Sequence, residues 1–213
     1  MEKIQIHNLI ILDESGSMMS IKDQIISGFN ETVQSIHSAE NKFPNQEHTI
    51  SVITFNSNEI KTLHLCDSVN QLKEIDGEKY NPNSLTPLFD AIGSAISQLN
   101  AKINTNLEHQ VLVTILTDGE ENASKEFTGE DIKKIIENLK TKNWTFTYIG
   151  TDHDVNAIAL KLSINNTLIF EKNTSGIDAM FQKEQKARGK FYAKYSDMKI
   201  KLKDEPDGNY FDN

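Results

Sequence analysis

Two aspartates in this sequence each follow an apolar, strand-like run, and two serines stand close behind the first of them. Asp13 comes directly after residues 9–12 and is followed by Ser15 and Ser17, whereas Asp118 follows residues 111–116 and one threonine. Carboxylate and hydroxyl oxygens are hard donors, and without Cys or an adjacent His they favour Mg²⁺, Mn²⁺ or Ca²⁺ over zinc or copper. These four residues are therefore the first candidates for a divalent cation site, with Mg²⁺ as the preferred ion.

The elements that must position these residues alternate between strand-like and helix-like runs along the chain. This alternation predicts an α/β fold, a doubly wound Rossmann-like three-layer sandwich with a mostly parallel six-stranded sheet and helices on both faces. A short turn at residues 56–58 makes the third strand an antiparallel edge strand, and the expected strand order is 3-2-1-4-5-6. The strands are predicted at residues 5–12, 49–55, 60–66, 111–116, 144–149 and 167–170.

Capping signals and helical spacing predict where the helices lie. Ser20 with Asp23, and Thr128 with Asp131, have the spacing of capping boxes, so helices are expected to open there. Apolar residues at helical spacing predict further helices over residues 88–99, 155–162 and 177–194.

In such a sheet, ligands bind at the carboxyl ends of the strands where the strand order reverses, which here is between strands 1 and 4. Asp13, Ser15, Ser17 and Asp118 are therefore expected to converge at this point. Two carboxylates at the mouth of an apolar sheet repel each other and lose hydration, and a bound cation would relieve both costs.

The segment Asp13-Glu14-Ser15-Gly16-Ser17 resembles the metal-ion-dependent adhesion site (MIDAS) of von Willebrand factor A domains, whose motif is Asp-x-Ser-x-Ser. The resemblance covers roughly residues 4–195 and adds Thr86, from the loop before the next helix, and Asp118, at the end of strand 4. It implies that Ser15 and Ser17 ligate the metal directly, and that Thr86, Asp13 and Asp118 do so directly or through water. It also implies that a carboxylate of a partner protein fills the open coordination position.

The hydroxyl residues of this set also have plainer interpretations. Ser15 and Ser17 could be turn and cap residues that lead into a helix. Thr86 before Pro87 could be a helix N-cap, a role that is compatible with metal ligation because a hydroxyl has lone pairs for both.

Other acidic residues near the strand ends are left outside the ligand set. Glu120 and Glu121 are interpreted as solvated loop carboxylates. The segment Asp152-His153-Asp154 is expected to be an exposed loop with an aspartate that caps the next helix, and a partner-binding rim or a second metal site are the alternatives.

Composition excludes several classes of protein. The 213 residues carry a net charge of -9 and show no Lys/Arg cluster, which disfavours nucleic acids and membranes as partners. The single cysteine, Cys66, excludes an internal disulfide and a Cys-based zinc site, and with a polar start to the chain it predicts a cytoplasmic protein. One domain is expected over residues 1–200, followed by an acidic, frayed tail over residues 201–213.

The leading functional hypothesis is a metal-dependent protein–protein interaction module, not an enzyme, that serves as a subunit of a bacterial intracellular complex, as the resemblance implies. The alternative is a phosphatase-like hydrolase that depends on Mg²⁺ or Mn²⁺ and uses the strand-1 aspartate. Phosphatases of the haloacid dehalogenase type have a second aspartate two residues after the nucleophile, where this chain has Ser15. Neither G-x-x-x-x-G-K-[ST] nor G-x-G-x-x-G occurs in the sequence, which also argues against the alternative.

Overall fold

The computed structural model describes residues 3–151, 155–196 and 210–211. Its strands are Ile4–Asp13 (β1), Gln46–Phe55 (β2), Ile60–Ser68 (β3), His109–Leu116 (β4), Trp144–Thr151 (β5) and Asn166–Phe170 (β6). They form one sheet in the order β3-β2-β1-β4-β5-β6, in which β3 is antiparallel to β2 and every other neighbouring pair is parallel. The predicted fold class, strand order and antiparallel edge strand are confirmed.

Helices cover both faces of the sheet. The helices are Lys22–Lys42 (α1), Leu88–Asn100 (α2), Gly129–Lys140 (α3), Val155–Lys161 (α4) and Thr174–Lys194 (α5). On β1, Leu9 and Ile11 pack in one apolar cluster with α2, α3 and α4, whereas Ile10 and Leu12 pack in another with α1 and α5. Because successive side chains of a strand point to opposite faces, an uninterrupted apolar run marks a strand that is buried on both sides.

The two predicted capping boxes had different outcomes. At the start of α3, the Thr128 hydroxyl accepts from the Asp131 backbone N–H and the Asp131 carboxylate accepts from the Thr128 backbone N–H, so this capping box is confirmed. The box predicted for Ser20 and Asp23 is wrong, because a 3₁₀ helix at Gly16–Ile21 precedes α1 and places Ser20 inside a helical segment. The Ser20 hydroxyl donates to the carbonyl of Ser17 instead.

A buried polar network ties α5 to the two central strands. The Arg188 side chain is fully buried and donates to Asn8 Oδ1 on β1 at 2.9 Å and to Thr114 Oγ1 on β4 at 2.8 Å. Arg188 also pairs with Glu184 one turn earlier, and the Tyr192 hydroxyl donates to Asn8 Oδ1 at 2.6 Å. The helix is therefore held by directional hydrogen bonds as well as by apolar packing.

Of the predicted tail over residues 201–213, the described positions are Tyr210 and Phe211. Phe211 is buried in the apolar cluster of α1 and α5, and the Tyr210 backbone N–H donates to Asn166 Oδ1 at 2.8 Å. The rest of the tail lies outside the described residues, so its fraying stays a prediction. No helix in the described part of the chain combines the length and the apolarity needed to cross a membrane.

Candidate functional site

The ends of β1 and β4 place the two aspartates side by side. Leu12 of β1 is paired with Leu116 of β4, and Asp13 and Asp118 follow these residues in the chain. The intervening Thr117 links the two strand ends, because its hydroxyl donates to Asp13 Oδ2 at 2.5 Å. Asp13 is fully buried, and the side chain of Asp118 is also inaccessible to solvent.

The two serines fold back towards these carboxylates. The Ser15 backbone N–H donates to Asp13 Oδ1 at 2.7 Å, and the Ser15 and Ser17 hydroxyl oxygens lie 3.2 Å apart. The Ser17 hydroxyl donates to Asp118 Oδ1 at 2.5 Å. Ser15 occupies the N-cap position of the 3₁₀ helix that follows it, as the plainer interpretation expects, although its side chain makes no capping hydrogen bond.

Thr86 joins the same group from the loop before α2. Its backbone is fixed by two hydrogen bonds with Asn122. The Asn122 side-chain oxygen accepts from the Thr86 backbone N–H at 2.9 Å, and the Asn122 backbone N–H donates to the Thr86 carbonyl at 3.1 Å. The helix begins at Leu88 with Pro87 at the N-cap position and no side-chain cap, so the cap interpretation of Thr86 is wrong. Glu121 and Ser124 supply the oxygens that accept from the Phe89 N–H instead.

Gly119 shows how close the separate chain segments come. A Cβ atom built on Gly119 would lie 3.0 Å from Thr86 Oγ1, 3.4 Å from Ser17 Oγ and 3.7 Å from Asp13 Oδ2. Together with the Ser15–Ser17 and Ser17–Asp118 contacts, this geometry brings all of the predicted site residues into one group. We call this group the oxygen cluster: Asp13, Ser15, Ser17, Thr86 and Asp118.

The electrostatics of the oxygen cluster disfavour negative charge in the absence of a cation. Burial raises the pKa of Asp13 to about 6, and the nearby Asp118 adds to the rise, although hydrogen bonds from Thr117 and Ser15 oppose it. The ammonium group of Lys172, which lies between β6 and α5, is 2.5 Å from Asp118 Oδ2. The site therefore combines two buried carboxylates with one lysine and three hydroxyls.

Glu14 is a supporting residue that the sequence analysis missed. It is fully buried, and its carboxylate accepts from Lys61 Nζ and from the Asn81 backbone N–H, at 2.8 Å and 2.7 Å. Two backbone hydrogen bonds, from the Asn83 N–H to the Glu14 carbonyl and from the Gly16 N–H to the Ser84 carbonyl, also join the loop after β1 to the loop before α2. These bonds fix the loop that leads to Thr86, and no sequence pattern indicates them because Glu14 occupies a variable position of the motif.

The remaining acidic candidates fall outside the oxygen cluster. The Glu121 carboxylate accepts from the backbone N–H groups of Ala123, Ser124 and Phe89, which makes it a loop-organising residue. Glu120 is exposed and lines a cavity of about 180 Å³ beside Asp118. The segment Asp152-His153-Asp154 lies outside the described residues.

The chain was compared with known families and structures. Residues 9–183 match the family model of the von Willebrand factor type A domain, whereas no curated protein matches. A similar solved structure is proximal thread matrix protein 1 from the mussel byssus, with 15% identity, a TM-score of 0.59, and coverage of 88% of this chain and 47% of that one. The pilus adhesin SpaC from Lactobacillus rhamnosus GG shares 12% identity with a TM-score of 0.62, over 90% of this chain and 30% of that one.

The vWF domain of the type V pili tip protein Mfa5 from Porphyromonas gingivalis shares 10% identity with a TM-score of 0.59, over 90% of this chain and 97% of that one. This chain spans less than half the length of the mussel protein and of SpaC. At these identities the structural likeness shows the fold alone. Because the family model covers most of the sequence, the chain belongs to the von Willebrand factor type A domain family.

Proposed function

We propose that this domain binds a partner protein through a divalent cation held by the oxygen cluster. Von Willebrand factor type A domains are often protein–protein interaction modules. In the proposed complex, a Glu or Asp carboxylate of the partner completes the coordination of the cation. The proposal assigns the domain a binding role and no catalytic step.

The observation that carries the proposal is the arrangement of oxygens around Gly119. Three side-chain oxygens from two separate segments, one with Asp13 and Ser17 and the other with Thr86, lie within 3.7 Å of the position that a Cβ of Gly119 would take. Both carboxylates of the cluster are buried. Burying two carboxylates side by side is costly unless a cation compensates them. A glycine at the centre leaves room for an ion where any other residue would place a carbon atom.

The donor chemistry supports a hard ion, with Mg²⁺ preferred and Mn²⁺ or Ca²⁺ as alternatives. Every donor of the oxygen cluster is a carboxylate or hydroxyl oxygen, and such hard donors favour these ions over zinc or copper. Mg²⁺ is commonly held by one or two carboxylates and keeps several waters, whereas Ca²⁺ takes more protein oxygens. The two carboxylates of the oxygen cluster, with its three hydroxyls, match the pattern of Mg²⁺.

The charge of the domain restricts the partner. At a net charge of -9, the domain repels an acidic surface, so the donated carboxylate should be surrounded by neutral or basic residues. A subunit of a bacterial intracellular complex is the biological setting that we propose for such a pair.

Calorimetric titration with Mg²⁺, Mn²⁺ and Ca²⁺ tests the proposal directly. Wild-type protein should take up one ion, and Asp13→Asn should abolish uptake while the circular dichroism spectrum is retained. Asp23→Asn, which removes the same charge from an exposed position in the first turn of α1, is the matched control and should bind as the wild type does. Absence of uptake of all three ions by the wild type would refute the proposal.

Partner binding is tested separately. Proteins captured by the wild type should be released by a chelator and should not be captured by Asp13→Asn. If the protein instead hydrolyses a phosphate ester with Mg²⁺ or Mn²⁺, and Asp13→Asn abolishes the turnover, the binding role is wrong and the hydrolase alternative is favoured.

A further inference from the structure

Lys172 is a cationic residue at the oxygen cluster to which the proposed function gives no role. Its ammonium nitrogen is 2.5 Å from Asp118 Oδ2, and the Lys172 side chain is 35% exposed whereas that of Asp118 is 0% exposed. The lysine therefore reaches from the surface onto a buried carboxylate.

The contact is explained by the charge balance of the site. Asp118 Oδ1 accepts from Ser17, a neutral hydroxyl, so the charge of Asp118 is compensated at Oδ2 by Lys172. A buried carboxylate without a counter-ion is strongly unfavourable. Another buried acid at this end of the sheet, Glu14, has its own lysine, Lys61, at 2.8 Å.

A divalent cation on the oxygen cluster would face the same carboxylate that Lys172 contacts. An ammonium group and a divalent cation close to one buried carboxylate repel each other. Lys172 has an alternative position, because its partly exposed side chain is long and flexible enough to move its charge into solvent.

We propose that Lys172 is a resident counter-ion that competes with the metal for Asp118, so that metal uptake requires the ammonium group to leave this carboxylate. This inference rests on the proposed function. It makes Lys172 a determinant of metal affinity that is not itself a ligand. Lys172 lies two residues after the end of β6 and directly precedes Asn173, the N-cap residue of α5.

The test is calorimetric titration of three variants with Mg²⁺ and Mn²⁺. Lys172→Gln should bind the ions about tenfold more tightly than the wild type, because it keeps a hydrogen-bond donor and removes the competing charge. Lys172→Arg keeps the charge and should bind as weakly as the wild type. Lys102→Gln removes the same charge from the exposed turn between α2 and β4, at the amino-terminal edge of the sheet, and should leave the affinity unchanged.

Thermal unfolding separates the competition from a purely structural role of Lys172, because only the competition predicts that the effect of Lys172→Gln on the melting temperature depends on Mg²⁺. Without metal, Lys172→Gln should melt below the wild type because Asp118 loses its counter-ion. With saturating Mg²⁺ this deficit should disappear, because the metal replaces the lysine. A deficit that is equal with and without Mg²⁺ would overturn the competition.

The outcomes separate this inference from the proposed function. Equal or weaker metal binding by Lys172→Gln, with normal binding by the wild type, overturns the competition alone. Absence of binding in every variant and in the wild type refutes both ideas.

Discussion

Gly119→Ala is the substitution that tests most directly how the oxygen cluster is built. The new methyl carbon would lie 3.0 Å from Thr86 Oγ1, 3.4 Å from Ser17 Oγ and 3.7 Å from Asp13 Oδ2. A cation ligated by these oxygens at about 2.0–2.1 Å would have to share the space that they enclose with that methyl group. We therefore expect the substitution to block metal uptake.

The magnitude follows from comparison with milder changes. Substitution of residues that only support the ligands weakens metal binding by about 10–100-fold. A methyl group among the ligands should cost at least the upper end of this range, which corresponds to about 2.8 kcal/mol.

The fold should survive the substitution. Among the described residues no glycine has a positive φ, so alanine at position 119 meets no backbone strain. Alanine also lowers the conformational entropy of the unfolded chain, which stabilises the folded protein by roughly 0.4–1 kcal/mol. The tight 3.0 Å approach to Thr86 Oγ1 offsets this gain. The free energy of unfolding without metal should therefore change by less than about 1 kcal/mol.

The assay is calorimetric titration with Mg²⁺, Mn²⁺ and Ca²⁺, combined with urea unfolding in a chelator. Gly189→Ala is the matched control, because a Cβ there has no neighbour within 4 Å. It should bind metal normally and be slightly more stable, since alanine favours the helix by up to about 1 kcal/mol. If Gly119→Ala folds and binds a divalent cation as tightly as the wild type, the geometric reasoning is wrong.

Two further predictions concern stability. Lys61→Met leaves the buried Glu14 carboxylate without its lysine and should lower the free energy of unfolding by about 3 kcal/mol, measured by urea unfolding, with the exposed Lys102→Met unchanged. Burial is the main reason that the pKa values of His7 and His48 fall from 6.5 to about 4. The unfolded chain therefore binds their protons more readily, so stability should fall as the pH drops from about 6.5 to 4, by about 3 kcal/mol for each histidine. His48→Asn should halve this part of the pH dependence, and an unchanged pH profile would contradict the assignment.

The sheet and the position of the two aspartates were predictable because they depend on local patterns. Apolar runs at residues 9–12 and 111–116 identify strands that are buried on both faces, and such strands occupy the centre of a doubly wound sheet. Once β1 and β4 are neighbours, Asp13 and Asp118 must meet at their carboxyl ends. The strand order and the register that pairs Leu12 with Leu116 confirm this step.

The supporting contacts were not predictable because they join residues that are distant in sequence and follow no period. Glu14 is bonded to Asn81 and Lys61, and Asp118 is paired with Lys172. A lysine after a short strand has no feature that distinguishes it from a solvated one. The 3₁₀ helix after Ser15 was missed for a related reason, since its hydrogen bonds are made by the backbone and leave no side-chain signal.

The guanidinium beneath α5 limits how that helix can move. Arg188 bonds at once to Asn8 on β1 and to Thr114 on β4, and a slide of one helical turn, about 5.4 Å, would break both bonds. The slide would leave buried polar groups of Arg188, Asn8 and Thr114 without hydrogen-bond partners, which opposes it, whereas a purely apolar contact would tolerate it more readily. These bonds favour one position of α5 on the sheet. The loop that carries Lys172 leads into this helix and is therefore held in place at that end.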